Sequence, residues 1–144
     1  MKLLEFKMLS KNTFSGVLLI MGIFLFASCT HKMAFENSSV VPAARGYVEM
    51  KKDKNKNNVV SVHLTNLAEA NRLTPPRQTY VVWILTNDDK MKNVGQIKSF
   101  NKNLSASFQT VSSFVPSKII ITAEDDGAVQ FPSSQIVLTS TNLR

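Results

Sequence analysis

Val60-Ser61-Val62-His63-Leu64-Thr65 sets an apolar side chain at every second position and a polar one between, the period of a strand with one buried and one wet face. Just upstream, Val48 and Met50 alternate in the same way with Tyr47, Glu49 and Lys51. The link between the two runs, Lys52-Asp53-Lys54-Asn55-Lys56-Asn57-Asn58, is wholly polar and reads as a turn, which makes the runs an antiparallel pair. Tyr80-Val81-Val82-Trp83-Ile84-Leu85-Thr86 has a different pattern. Val81, Trp83 and Leu85 lie on one face and Tyr80, Val82 and Ile84 on the other, as expected of a central strand covered on both sides. Between these elements, Leu67 to Gln78 contains Pro75-Pro76. Neither proline can donate to a ladder, so the second strand ends there and the connection is long enough to cross between sheets.

Further strands are expected over Val94 to Phe100, around Leu104, Ala106 and Phe108, over Lys118 to Glu124 and over Gln135 to Thr139. Asn87-Asp88-Asp89-Lys90, Asp125-Asp126-Gly127 and Pro132 supply the turns. No stretch downstream of residue 43 sustains a 3.6-residue pattern, so any helix is expected to be a short loop turn. The expected fold is an all-β, antiparallel, immunoglobulin-like β-sandwich of about seven strands over residues 44–144.

The chain begins differently. Lys2, Lys7 and Lys11 form a basic region, and Val17 to Phe26 is an apolar run broken only by Gly22. Spanning about 30 Å of hydrocarbon takes roughly 20 apolar residues, so this run suits a signal peptide better than a membrane-crossing helix. Leu25-Phe26-Ala27-Ser28-Cys29 closes it with two small residues before the single cysteine. This resembles the lipobox cut by signal peptidase II, with Phe26 where leucine is commoner, and Phe26, Ala27 and Ser28 are the expected peptidase-recognition residues. The resemblance implies a bacterial lipoprotein in which residues 1–28 are a signal peptide and the Cys29 thiol carries a diacylglyceryl group, with a further acyl chain such as palmitate on its amine. Thr30 to about Ala43 lacks periodicity and contains Glu36-Asn37-Ser38-Ser39 and Pro42, so residues 29–43 are expected to be the lipidated cysteine and a flexible tether.

The 144 residues carry 17 Lys and Arg against 10 Asp and Glu, a net charge of +7. Without residues 1–28, fourteen basic residues face nine acidic ones. The remaining chain is one domain's worth, able to bury about 65 % of its unfolded surface. With Cys29 lipidated no disulfide can form, so packing alone carries stability. The basic residues do not alternate with aromatics as a single-strand-binding platform requires, and an extracytoplasmic location disfavours nucleic acid. Anionic lipid or envelope glycan is the expected counter-charge.

Two stretches resemble a known family. Tyr80-Val81-Val82-Trp83-Ile84-Leu85, with Val94-Gly95 after a polar turn, is similar to the Tyr-x-x-Trp strand and downstream glycine of the extracytoplasmic domain of anti-sigma-K factors. Ile121-Thr122-Ala123-Glu124-Asp125-Asp126-Gly127-Ala128, then Phe131-Pro132-Ser133-Ser134 and Ile136-Val137-Leu138, resembles that domain's closing pattern. The likeness covers roughly residues 44–140 and implies fold rather than activity. Such factors hold sigma through a separate cytosolic domain joined by a transmembrane helix. With 28 residues ahead of Cys29, only the outer module is expected here.

Catalytic chemistry is not expected. His31 and His63 have no carboxylate or cysteine at ligand spacing, so no metal site or cofactor is anticipated beyond the covalent lipid on Cys29. Ser105, Ser107, Ser112 and Ser113 lack the setting of an activated nucleophile. Glu124, Asp125 and Asp126 read as a turn with a solvated acidic edge. Lys51, Lys52, Lys54 and Lys56 form a charged hairpin tip that discourages edge pairing and is the candidate contact with an anionic surface. The resulting expectation is a non-enzymatic, lipid-anchored envelope lipoprotein, placed at the periplasmic side of the outer membrane. Its expected partners are the membrane and an unspecified envelope protein or glycan. The alternative is a sensory module acting with a separate transmembrane regulator.

Overall fold

In the computed structural model, which describes residues 30–97, 101 and 103–142, the described residues form eight strands: β1 (His31–Ala34), β2 (Arg45–Lys52), β3 (Asn58–Thr65), β4 (Thr79–Thr86), β5 (Met91–Ile97), β6 (Ala106–Ser112), β7 (Pro116–Glu124) and β8 (Ile136–Thr139). All pairings are antiparallel and make two four-stranded sheets, ordered β1-β2-β3-β6 and β5-β4-β7-β8. β3 crosses to β4, β5 to β6 and β6 to β7, so β2 to β8 follow the Greek-key connectivity of immunoglobulin-like domains. The fold is the β-sandwich that the alternation predicts. One 3-10 turn, Ala70–Arg72, lies in the β3–β4 crossing.

Alternation decides which side chains meet. Val48, Met50, Val60, Val62 and Leu64 of the first sheet are buried against Tyr80, Val82, Ile84, Ile119, Ile121 and Ala123 of the second. Burying one such side chain is worth about 1.5–3 kcal/mol, and this interior is the dominant stabilising term. Val81 and Trp83 point the other way, as their parity requires, and are fully buried with Ile120 in a second, smaller cluster. The β7–β8 loop covers that cluster, with Val129 packed against it. Both faces of β4 are therefore covered within one molecule. Trp83 fills this satellite cluster rather than the space between the sheets, where the strand-C tryptophan of antibody domains lies.

Gly95 lies at a bulge in β5. Val82 pairs with Gly95 but Trp83 pairs with Asn93, so Val94 is an extra residue and the ladder shifts there. Gly95 has φ 135°, and a Cβ on it would sit 2.9 Å from the Phe108 ring.

Three loops use one geometry. In 53–57, 86–90 and 101–105 the first residue's N–H donates to the carbonyl of the fifth, at 2.9–3.0 Å, and the fourth residue's N–H donates back to the first at 3.1 Å. The fourth residue is left-handed in each: Lys56 (φ 64°), Asp89 (φ 58°) and Leu104 (φ 52°). Each turn is thus closed by a pair of backbone hydrogen bonds with a left-handed residue at its fourth position. Side chains offset the strain of a non-glycine there. Asp53 Oδ1 accepts from Asn55 N and Asn57 N, and Asn101 Oδ1 accepts from Asn103 N and Ser105 N. Leu104, expected on a strand, is thus an exposed turn residue, and the strand begins at Ala106.

The largest correction falls on residues 30–43. Cys29 lies outside the described residues, but the segment expected as a flexible tether is part of the sandwich. His31–Ala34 pair with Met50–Tyr47 of β2. The chain then changes sheets: Phe35 N donates to Gly46 O (3.1 Å), Glu36 N to Thr139 O (2.9 Å), and Thr141 N to Ala34 O (2.9 Å). Met33, Phe35, Val41 and Ala44 are buried in the main core, and the Ser38 hydroxyl accepts from Val41 N at 2.9 Å. The strand is only four residues long and its partners, in β2 and at Thr141, are distant in sequence, so no local periodicity announces it.

Replacing Phe35 by Ala is expected to cost about 3 kcal/mol, the usual range for a buried phenylalanine. Urea denaturation followed through Trp83 fluorescence checks this, and a change within 0.5 kcal/mol would place residues 30–36 outside the folded unit.

Candidate functional site

The register brings six segments to one pole of the sandwich. His31 pairs with Met50, Lys52 with Asn58, Asn58 with Ser112, and Thr86 with Pro116. Ser140 N donates to Ile119 O at 2.8 Å. The start of β1, the β2–β3 hairpin tip, the β4–β5 turn, the β6–β7 link, the start of β7 and the segment after β8 are therefore neighbours.

The predicted lysines lie here, and all four are exposed. Lys51 is 3.8 Å from Glu49; Lys52, Lys54 and Lys56 make no ion pair among the described residues. Asp53 sits among them, but its carboxylate closes the turn by accepting three hydrogen bonds. Lys90 and Lys92 join the group from the second sheet. Lys90 is 2.6 Å from Asp88, and Lys92 Nζ lies 5.8 Å from the centre of the Phe114 ring.

Sequence reasoning missed the apolar part of this pole. Phe114 is 47 % exposed and Val115 50 %. Their backbone is held firmly: Phe114 O accepts from Asn58 Nδ2 at 2.8 Å, and Phe114 N donates to Ser112 Oγ at 3.0 Å. Two large apolar residues between Ser113 and Pro116 were the available signal, since a turn gains nothing locally from them.

On the outer face of the first sheet, Lys32 pairs with Glu49 at 2.8 Å and lies 5.1 Å over the Tyr47 ring, which stacks on His63. The hydrogen bond between them, chiefly, raises Lys32 and lowers Glu49 from their ordinary values. His63 is on the wet side of β3, as expected, and faces Ser107 across the strand pair. No hydrogen bond joins them among the described residues. His31 opens β1 rather than a spacer. Among the described residues no group of three or more His, Cys, Asp or Glu side chains is placed to hold a metal.

The acidic trio is split, which corrects its reading as one solvated edge. Glu124 is buried at the end of β7, where its Oε1 accepts from Thr122 Oγ1 (2.5 Å) and Ser133 N (2.8 Å). Thr122 Oγ1 in turn accepts from Trp83 Nε1 at 2.8 Å. Asp125 pairs with Arg77 at 2.5 Å, and Asp126 accepts from Ala128 N. Asn93 Nδ2 donates to Gly127 O and Val129 O, fixing the loop over Trp83. The carboxylates thus hold the β7–β8 loop in place. An open cleft of about 570 Å³ at the opposite pole is bordered by Glu69, Asn71, Gln78, Gln96, Asp125 and Asp126, over Tyr80. Tyr80 donates to Ala68 O at 2.7 Å, and burial pushes its hydroxyl well above the usual range. Glu69 and Asp125 there are paired with Arg72 and Arg77, and no histidine borders the cleft among the described residues.

The lipobox residues Phe26, Ala27, Ser28 and Cys29 lie outside the described residues. Comparison with family models found no match, and comparisons with curated proteins and with solved structures found none at the threshold of significance.

Thr122→Val should destabilise the domain by about 2 kcal/mol, because Trp83 loses its acceptor and buried Glu124 a donor; a shifted emission of Trp83, the only tryptophan, reports the change. Asp88 titrates differently. The Lys90 hydrogen bond, then that from Thr86, brings its carboxyl down to about 2. Its folded value lies below an unfolded value of about 3.9, so its contribution is complete above that value and is lost as pH falls through about 2. Carboxyl NMR should give that midpoint, moving towards the ordinary range in Lys90→Met.

Proposed function

We propose that this chain is a non-enzymatic, lipid-anchored lipoprotein of the bacterial cell envelope whose β-sandwich binds or supports another envelope component. The sequence argument is the basic region, the apolar run and the small residues before Cys29. The observation that carries the reading further is the position of His31, two residues beyond Cys29, on an edge strand at a pole of the domain. An anchor there would hold the sandwich by one end without obstructing either sheet face. The non-enzymatic part is supported by the engagement of Asp53, Glu124 and Asp125 with turn, loop and ion-pair partners. The membrane facing the periplasm, at the outer membrane, is the location we assign.

A second reading, a sensory module like the outer domain of anti-sigma-K factors working with a separate transmembrane regulator, has one observation in its favour. The two stretches that carry that resemblance meet in space, through the Trp83 Nε1 to Thr122 Oγ1 hydrogen bond. Recovery of a stoichiometric transmembrane regulator with the protein from mild-detergent extracts would favour it.

Cys29→Ala should leave a precursor that keeps its first 28 residues, and mass spectrometry of the wild-type N-terminal peptide should find the diacylated cysteine. Normal maturation and membrane fractionation of the variant would refute the lipoprotein reading.

A further inference from the structure

The structure assigns one pole of the sandwich as a docking surface for an anionic lipid bilayer, with the exposed lysines bearing on the headgroups and Phe114 and Val115 inserted between them. The inference deepens the lipoprotein reading and rests on it for the direction in which the chain leaves the domain.

Three observations converge. Lys51, Lys52, Lys54, Lys56, Lys90 and Lys92 are exposed at this pole and face three aspartates and Glu49, which lies 3.8 Å from Lys51. Asp53 is engaged by the turn and Asp88 by Lys90, which leaves only Asp89 without such a partner among the described residues. Among the described residues, the cleft at the opposite pole is bordered by Glu69, Asp125 and Asp126, the first two paired with Arg72 and Arg77, so its charges offset one another. An anionic surface attracts the lysine-rich pole more strongly than that cleft.

Apolar side chains sit within the positive field. Phe114 and Val115 are about half exposed on a backbone pinned by Asn58 and Ser112, so inserting them costs little ordering. Val111, 58 % exposed, and Val59 beside it extend the apolar surface along the outer face of the first sheet. Aromatic and aliphatic groups ringed by lysines match the interfacial region of a bilayer, where the chain stems also lie along apolar surface.

The third observation is reach. With β1 folded from His31, a lipidated Cys29 is two residues away, about 7 Å at full extension. That is within the screening length of about 8–10 Å at physiological salt. A long tether would let the domain tumble; this one holds the cationic pole in the field of the headgroups. Each lysine so placed strengthens binding by about fivefold.

The test uses mature, lipidated protein carrying Val115→Cys or, at the opposite pole, Asn71→Cys, labelled with an environment-sensitive fluorophore and reconstituted into phosphatidylcholine vesicles with or without phosphatidylglycerol. The expected result is a blue shift and quenching by lipid-borne quenchers at residue 115 in anionic vesicles, much weaker in neutral ones and lost in about 1 M salt, where screening shortens to about 3 Å. The label at residue 71 stays aqueous throughout. Replacing Lys51, Lys52, Lys54 and Lys56 together by Ser should abolish the signal, with unchanged urea denaturation showing that the fold persists. A shift independent of lipid charge or of the four lysines, or a stronger signal at residue 71, overturns the proposal. So does a label that never enters vesicles while the lysines retain the protein on anionic envelope glycan. Mass spectrometry of the N-terminal peptide separates failure of lipidation from failure of docking. Protein found without lipid is added to preformed vesicles, where the same contrast between residues 115 and 71 still decides.

Discussion

Two backbone hydrogen bonds, Glu36 N to Thr139 O and Thr141 N to Ala34 O, hold the two sheets together along one side. Sheets facing each other across an apolar core are held by burial, which has no direction and so resists sliding only through side-chain interlock. A strand that bonds to β2 over residues 31–34 and to the end of β8 over residues 35–36 adds direction. It fixes the relative position of the two edges; Gly46, which accepts from Phe35 N, is needed for the pairing of β2 with β3, since a Cβ there would lie 2.3 Å from the His63 carbonyl oxygen. The same strand determines where the chain emerges. Because β1 runs antiparallel to β2, its first residue lies beside the end of β2 and hence beside the lysine-rich hairpin.

A second constraint shapes the other side of the molecule. β4 is apolar on both faces, and a four-stranded sheet packed on one side leaves Val81 and Trp83 to be covered. The β7–β8 loop does this, held by Asn93 at one point and by the Trp83–Thr122–Glu124–Ser133 chain at another. A buried carboxylate is tolerated when its oxygens receive hydrogen bonds, and Glu124 receives them from a hydroxyl and a backbone N–H. The bulge at Gly95 belongs to the same arrangement, since the extra residue turns Asn93 towards the loop. On this side Phe131, at the loop tip, is 84 % exposed, and Ile136 of β8 is exposed as well.

Alternation was legible wherever one strand face is buried and the other wet, as in β2 and β3, and wherever both are buried, as in β4. Those strands, the polar turns and the crossing over Leu67 to Gln78 are where the reading placed them; the other crossings were not read from the sequence. It failed where partners lie far away in sequence. β1 is too short to show a period, and its apolar residues Met33, Phe35 and Val41 are spaced among polar ones that resemble a linker. Leu104 looks like a strand residue by composition but occupies the left-handed corner of a turn whose Asn101 accepts the needed hydrogen bonds. Glu124 belongs to an acidic run by sequence, and only the parity of β7 turns it inward towards Thr122 while Asp125 and Asp126 face water. The lysines were visible as a cluster; Lys90, Lys92, Phe114 and Val115 were not visible as their neighbours.

Sequence by itself determined the class of fold and the positions of most strands, because a period of two is a local property that each segment carries whatever surrounds it. It also placed the lysine-rich turn and the apolar run ending at Cys29, since charge and hydropathy are read directly. Tertiary structure alone decided that residues 31–44 are part of the domain, that the acidic trio is divided, and that His31, the first residue of β1, shares a pole with six lysines and Phe114. These facts depend on strand register and on which sheet edges meet. Both are settled by summing many weak contacts between segments up to a hundred residues apart, and no short window of sequence contains that sum.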